Sequence, residues 1–319
     1  MSDREIACED LNAALEDLRR EGFRLDVIYP ADDPYTAILS RAAERVHLTT
    51  QPGAPEPPTE LPSFVPQFVL TRAGANPGEG RAGMFYRDLI PSRLGGRYIA
   101  SHITIREGGP VADWVHFHRI AFQMIAVRRG WVRVVYEDQG EPFVMEAGDL
   151  VLQPPEIRHR VLESSPGLEV VEITCPALHE TFADHEMTLP NDRLDRDRRF
   201  GGQGFLRHVA SDTPWTPFDG GQAQETAMRD ATAGLAEVRV VRPSASSNNA
   251  FAPHDGELVF GFVLEGSGQL DYAGGHGLGP ADSFVIPPGE AWTLRDASDD
   301  LRLLHVTTQA LAGRSRTLL

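Results

Sequence analysis

The sequence predicts an all-β protein of two tandem domains, sandwiches or barrels built from short strands, with a short α/β appendage at the N-terminus. Three observations predict it. Short apolar or alternating runs separated by turn residues fill 84–182 and return over 226–312. The two stretches parallel each other. The amphipathic helical pattern lies at 9–21, within the first fifty residues.

In EDLNAALEDLRRE, Leu11, Ala14, Leu15 and Leu18 fall at helical spacing with charges between them. FRLDVIYP, TAILS and RVHLTT read as short strands, so 1–51 is a strand–helix–strands unit. PGAPEPPTELPSFVP is rich in proline, which fixes φ and removes donors. Residues 52–83 therefore read as an extended linker or wrapping arm.

Over 84–182 the runs GRYIASHITI, DWVHFH, FQMIAV, WVRVVYE, DLVLQP, HRVLE and LEVVEIT alternate with REGGP, RRG, DQGEP, AGD and SSPG. Strands at this spacing point to a sandwich or barrel. Residues 183–225 read as a connector, with NDRLDRDRR a solvated surface loop. In 226–312, LVFGFVLEGSGQLDY parallels FQMIAVRRGWVRVVY, and DSFVIPPGEAW parallels DLVLQPPEIRH. A duplication of this length is two copies of one β domain rather than a solenoid.

Composition narrows the function. The 319 residues suffice for more than one core, and no apolar run approaches the roughly 20 residues of a membrane helix. MSDREIACEDL lacks a basic-then-apolar signal pattern, so the expected location is cytoplasmic. A formal net charge of −16 disfavours nucleic acid and anionic membrane surfaces as partners. Cys8 and Cys175 are too few and too far apart for a disulfide framework or a zinc ribbon. All 30 basic residues are arginine, which excludes Schiff-base lysines, pyridoxal phosphate attachment and a Walker-type loop.

The candidate chemistry lies in 116–159. On a strand, His116 and His118 share one face roughly 6.6–6.8 Å apart, so both imidazoles can converge on one ion. Gln123 begins the next apolar run. Gly130 marks a turn, and Gly148-Asp149 opens the run that ends in His159.

These residues resemble the two motifs of the cupin superfamily. The first motif matches Gly109/Pro110, His116-Phe117-His118, Gln123 and Gly130; the second matches Gly148, Pro154-Pro155-Glu156 and His159. The resemblance implies two tandem cupin (double-stranded β-helix) barrels. It also implies one divalent metal per chain, held by His116, His118, Gln123 and His159. Fe2+ is favoured, with Zn2+, Ni2+ or Mn2+ as alternatives. Two departures stand out. Glu156 replaces the turn glycine, and Gln123 replaces a glutamate ligand, so the ion would keep its full +2 charge and favour an anionic substrate. The opposing interpretation is that the three histidines are hydrogen-bonded core residues of an inactive barrel.

In the second copy the ligand positions align with Ala252, His254, Val259 and Trp292, which implies a barrel without metal. The segment from Cys8 to Ser40 resembles half of a glyoxalase-type βαβββ module, from which no site residue is carried over. Arg106, His102, Trp114 and Tyr136 are candidates for contacting substrate.

The expected function is a metal-dependent enzyme acting on a small anionic organic molecule. Fe(II)-dependent dioxygenation leads, and Lewis-acid isomerase or lyase chemistry is the variant. A non-catalytic sensor or storage protein is the alternative. The resemblance also implies a homodimer.

Overall fold

The computed structural model describes residues 2–74, 77–80, 83–245 and 248–311. Strand Ser2–Ala7, helix Leu11–Arg20 and strands Arg24–Tyr29, Thr36–Arg41 and Glu44–Thr49 form the N-terminal unit. Asp10 caps the helix by accepting from the Ala13 N–H. Leu11, Leu15 and Leu18 are buried against Leu25, Leu39 and Leu48. The far edge of this sheet, Arg24–Tyr29, pairs with Thr181–Ala183, which pairs in turn with His116–His118. One continuous sheet thus runs from the appendage into the first barrel and fixes the histidine strand from outside.

The duplication is visible strand by strand. One seven-stranded sheet runs, in spatial order, Leu206–His208, Leu150–Leu152, Phe122–Arg129, Leu168–Cys175, Ile99–Ile105, Phe85–Asp88 and Gly78–Glu79. The other runs Val69–Thr71, Ser283–Ile286, Leu258–Glu265, Arg302–Thr308, Ala236–Pro243, Gly221–Glu225 and Thr216–Phe218. Each is faced by four strands: His116–His118, His159–Ser164, Trp131–Tyr136 and Phe143–Glu146 in the first barrel, which end the sheet continuous with the N-terminal unit, and Asn249–Phe251, Trp292–Arg295, Gly268–Asp271 and Gly275–Leu278 in the second, which form a sheet of their own.

The outermost strand of each large sheet comes from the chain between units. Val69–Thr71, in the proline-rich arm, pairs with Ser283–Ile286, and Leu206–His208, in the connector, pairs with Leu150–Leu152. The connector is therefore not simply surface loop. Its charged run is pinned as well: Arg198 donates to Glu137 at 2.6 Å and to Asp138 at 2.8 Å. Both carboxylates are buried and need a cationic partner.

The large sheets pack back to back. Phe122, Met124 and Ile173 share one core with Phe260, Phe262 and Val306. Strand Phe122–Arg129 is thus covered on both faces. Phe122, Met124 and Ala126 face the other barrel, while Gln123, Ile125 and Val127 face their own interior. This explains an almost unbroken apolar run with one glutamine in it. Arg97 and Glu257 cross the interface at 2.7 Å, and Tyr98 donates to the same carboxylate.

Among the described residues, no helix is long and apolar enough to cross a membrane.

Candidate metal centre

His116 and His118 project from one face of a three-residue strand, and His159 opens the neighbouring strand directly opposite His116. Ring centroids lie 4.1 Å apart for His116–His159, 5.2 Å for His116–His118 and 5.3 Å for His118–His159. One ligand atom from each falls within 4.8 Å of the others, and all three residues are buried.

The hydrogen bonds show which nitrogen each ring offers. Nδ1 of His116 donates to the Trp114 carbonyl at 2.7 Å, Nδ1 of His118 to the Glu180 carbonyl at 3.1 Å, and Nδ1 of His159 to the Ile157 carbonyl at 3.0 Å. A neutral imidazole that donates through Nδ1 carries its lone pair on Nε2. All three rings are fixed in the tautomer that presents Nε2 as a ligand. Asp113 adds a carboxylate 3.5 Å from His116 Nδ1 and itself accepts from the Val161 N–H. Three imidazole nitrogens suit Zn, Fe, Ni or Cu.

Gln123 lies one step back from the triad. Its Oε1 accepts from Gln153 Nε2 at 2.8 Å, and Gln153 Nε2 is 3.4 Å from His159 Nε2. Gln153 Oε1 accepts from Tyr136 at 2.5 Å. Burial, followed by the nearby Glu172 charge, pushes the Tyr136 phenol far up, so it remains a donor. The amide against the histidines is Gln153, with Gln123 supporting it from behind.

The triad opens into a cavity of about 80 Å³ inside the first barrel. A water needs about 10–15 Å³ on this measure, so the space holds a small molecule rather than a single water. Met84, Ile103, Ile125, Val134 and Val151 give it apolar walls, while Tyr136, Gln153 and Glu172 are polar groups on its lining. Glu172 was not among the sequence candidates. Its signal was present in LEVVEIT: Leu168 and Val170 line the cavity, and Glu172 follows them at period two.

The other candidates are placed as follows. Tyr136 lines the cavity. His102 and Arg106 do not, because strand Ile99–Ile105 turns Ile103 and Ile105 inward and its even positions outward. His102 lies in the barrel interface, 2.9 Å from Glu169 and 3.1 Å from an Arg87 nitrogen. The Arg106 guanidinium covers the Phe85 ring. Trp114 touches His116 edge-on at 5.3 Å and packs on the core of the N-terminal unit.

Glu156, at the motif's glycine position, has φ +61, in the left-handed region that glycine occupies without strain. Its N–H donates to the His118 carbonyl, so the strained turn tethers a candidate ligand.

The second barrel departs from this pattern residue by residue. Gly289 N–H donates to the His254 carbonyl as Glu156 N–H donates to that of His118, so His254 occupies the His118 position. The residue opposite Trp292, as His116 is opposite His159, is Phe251 rather than Ala252. One extra residue in this copy shifts the register that the sequence alignment assumed. Val259 and Trp292 correspond to Gln123 and His159. His254 Nδ1 accepts from the Gly256 N–H at 2.8 Å, so its proton sits on Nε2, the reverse of the tautomer in the triad.

No family model matches the chain, and no curated protein matches its sequence. Solved structures do match. Ylba from E. coli is 10% identical with TM-score 0.54, covering 78% of this chain and 93% of its own. Oxalate decarboxylase from Bacillus subtilis is 12% identical with TM-score 0.52, covering 79% and 78%. A salicylate 1,2-dioxygenase variant from Pseudoaminobacter salicylatoxidans is 19% identical with TM-score 0.52, covering 70% and 75%. The chain has the tandem cupin fold. At these identities the likeness concerns the fold, and the chemistry rests on the site itself.

Proposed function

We propose that the first barrel is the active site of a divalent-metal-dependent enzyme acting on a small organic anion, with Fe(II)-dependent dioxygenation the leading reaction. One observation carries this reading: three buried imidazoles are each turned by an Nδ1–carbonyl bond so that Nε2 faces the same space. A core histidine has no need of two matching partners. His116, His118 and His159 would hold the ion, with the Gln123–Gln153 pair bracing His159. When bound, a redox-active ion supplies O2 activation, and a redox-inert one supplies Lewis acidity.

The remaining residues define what the site can do. The apolar walls exclude water and limit the substrate to a few heavy atoms. Tyr136 donates a hydrogen bond, which it spends on Gln153. Glu172 is the carboxylate of the cavity and the group able to accept or return a proton. Two enzymes of small carboxylic acids on the same fold, oxalate decarboxylase with its Mn(II) centres and salicylate 1,2-dioxygenase, support the choice by analogy.

The test is reconstitution with Fe(II), Mn(II), Ni(II) and Zn(II), elemental analysis, then O2 uptake and product analysis with diketones, phenols and hydroxy acids. One ion per chain with turnover by the Fe(II) form is expected. Less than about a tenth of an ion per chain would overturn the metal reading. Full loading without turnover on any substrate would favour a sensor or storage protein.

A further inference from the structure

The second barrel has a cavity of its own, about 190 Å³, at the place that corresponds to the first barrel's site. His305 and Thr307 line it from strand Arg302–Thr308. Their register opposite Gly261 and Val259 matches that of Glu172 and Thr174 opposite Ile125 and Gln123. His305 is 8% exposed. Among the described residues, neither His305 nor Thr307 makes a side-chain hydrogen bond. Both polar groups open onto the cavity, where a ligand or water must supply the partner that the protein does not. The wall beside them is the stacked pair Phe251 and Trp292, 3.8 Å apart at 4°.

The charges select against an anion. Arg239 lines the cavity but is answered by Glu237 at 3.0 Å and Glu225 at 3.3 Å. Asp219 adds a carboxylate to the lining. Burial, with Arg239 and His254 adding to it, holds His305 neutral, so the ring offers one donor and one acceptor.

We propose that the second barrel is a metal-free binding site for a small uncharged aromatic molecule, whose ring lies against Phe251 and Trp292 and whose polar group hydrogen-bonds His305 and Thr307. The proposal does not depend on the metal reading of the first barrel.

The test is an NMR titration of the full chain with phenol, benzamide and benzoate. It follows the Trp292 indole N–H, assigned with Trp292→Phe. Phenol and benzamide should shift it saturably with Kd on the order of 1 mM, the range open to so few heavy atoms. Benzoate should bind about tenfold more weakly, and His305→Leu should weaken benzamide about tenfold, the worth of one hydrogen bond. Thr307→Val serves where His305→Leu does not fold. The shift should persist in His118→Ala, which separates it from binding in the first barrel. No saturable shift with either uncharged probe would overturn the proposal. So would equal affinity for benzoate, or benzamide binding unchanged in both folded variants.

Discussion

His116 faces His159 across an antiparallel pair, with ring centroids 4.1 Å apart, and the second barrel places Phe251 and Trp292 at the same two positions, 3.8 Å apart. One backbone arrangement carries either a polar pair poised for an ion or an aromatic stack that offers an ion no ligand.

The comparison predicts that His116→Phe with His159→Trp converts the first barrel into a second one without metal. Elemental analysis should find no ion in the double variant. Its metal-free unfolding free energy should stay within about 2 kcal/mol of the parent, since the buried imidazoles give way to a stack. His159→Ala alone should lose the ion too, by more than the ~10–100-fold that a lost supporting hydrogen bond costs. Retention of one ion per chain in the double variant would place the metal elsewhere.

Glu172 gives a sharper test of catalysis than the ligands do. Glu172→Gln keeps the side-chain volume and removes the titratable oxygen. Metal content should be unchanged, while turnover falls about 10²–10⁴-fold, the usual worth of a general acid or base. If Glu172 only filled space, kcat would be unaffected and KM alone would move.

The two motifs and the duplication made the barrels legible, because turn glycines and the His-x-His spacing are local patterns. Gly130 has φ +77, and a Cβ there would meet Ser165 Oγ at 2.3 Å, so that motif glycine reports a steric fact. Inside the site, legibility ended at tertiary contacts. Gln123 was visible as the polar residue of an apolar strand, but its engagement with Gln153 depends on the pairing of two strands thirty positions apart. His102 and Arg106 were candidates for contacting substrate, and both precede the first motif in sequence. Their inward or outward sense depends on the phase of the strand, which one apolar face packed against a second barrel conceals. The arm and the connector gave no sign of strands Val69–Thr71 and Leu206–His208, since three residues are too few to show a period.

A buried ion pair crosses the barrel interface beside its apolar core. Arg97 donates twice to Glu257, Tyr98 once, and the Leu311 N–H once. Glu257→Ala leaves the guanidinium buried without its carboxylate, which should cost about 3–5 kcal/mol in urea unfolding. Arg97→Met with Glu257→Leu should recover most of that loss, because an apolar pair of similar volume needs no charge compensation. A loss under about 0.5 kcal/mol for Glu257→Ala would mean that water already reaches the pair.

The same interface should make the protein acid-sensitive through Glu169. The hydrogen bond from His102, opposed by burial and reinforced by Arg128, holds Glu169 down to about 2. Burial lowers His102 as well, so it is neutral and donates through Nε2 while Nδ1 accepts from Arg87. A carboxylate depressed in the folded state binds fewer protons there than in the unfolded chain. Its stabilisation is fully present above the ordinary glutamate value of 4.5 and disappears as the pH falls from 4.5 to about 2. The neutral histidine acts in the same direction from a higher starting point, weakening the fold as pH drops below its unfolded value of 6.5. The parent should therefore lose stability between pH 6 and 3, with Glu169 contributing on the order of 2 kcal/mol, reduced from the full shift by partial hydration. Glu169→Gln should be less stable than the parent at pH 7, and the difference should shrink by pH 3. Urea midpoints at the two pH values decide it. A gap that is constant with pH would assign the loss to packing rather than to the charge on Glu169.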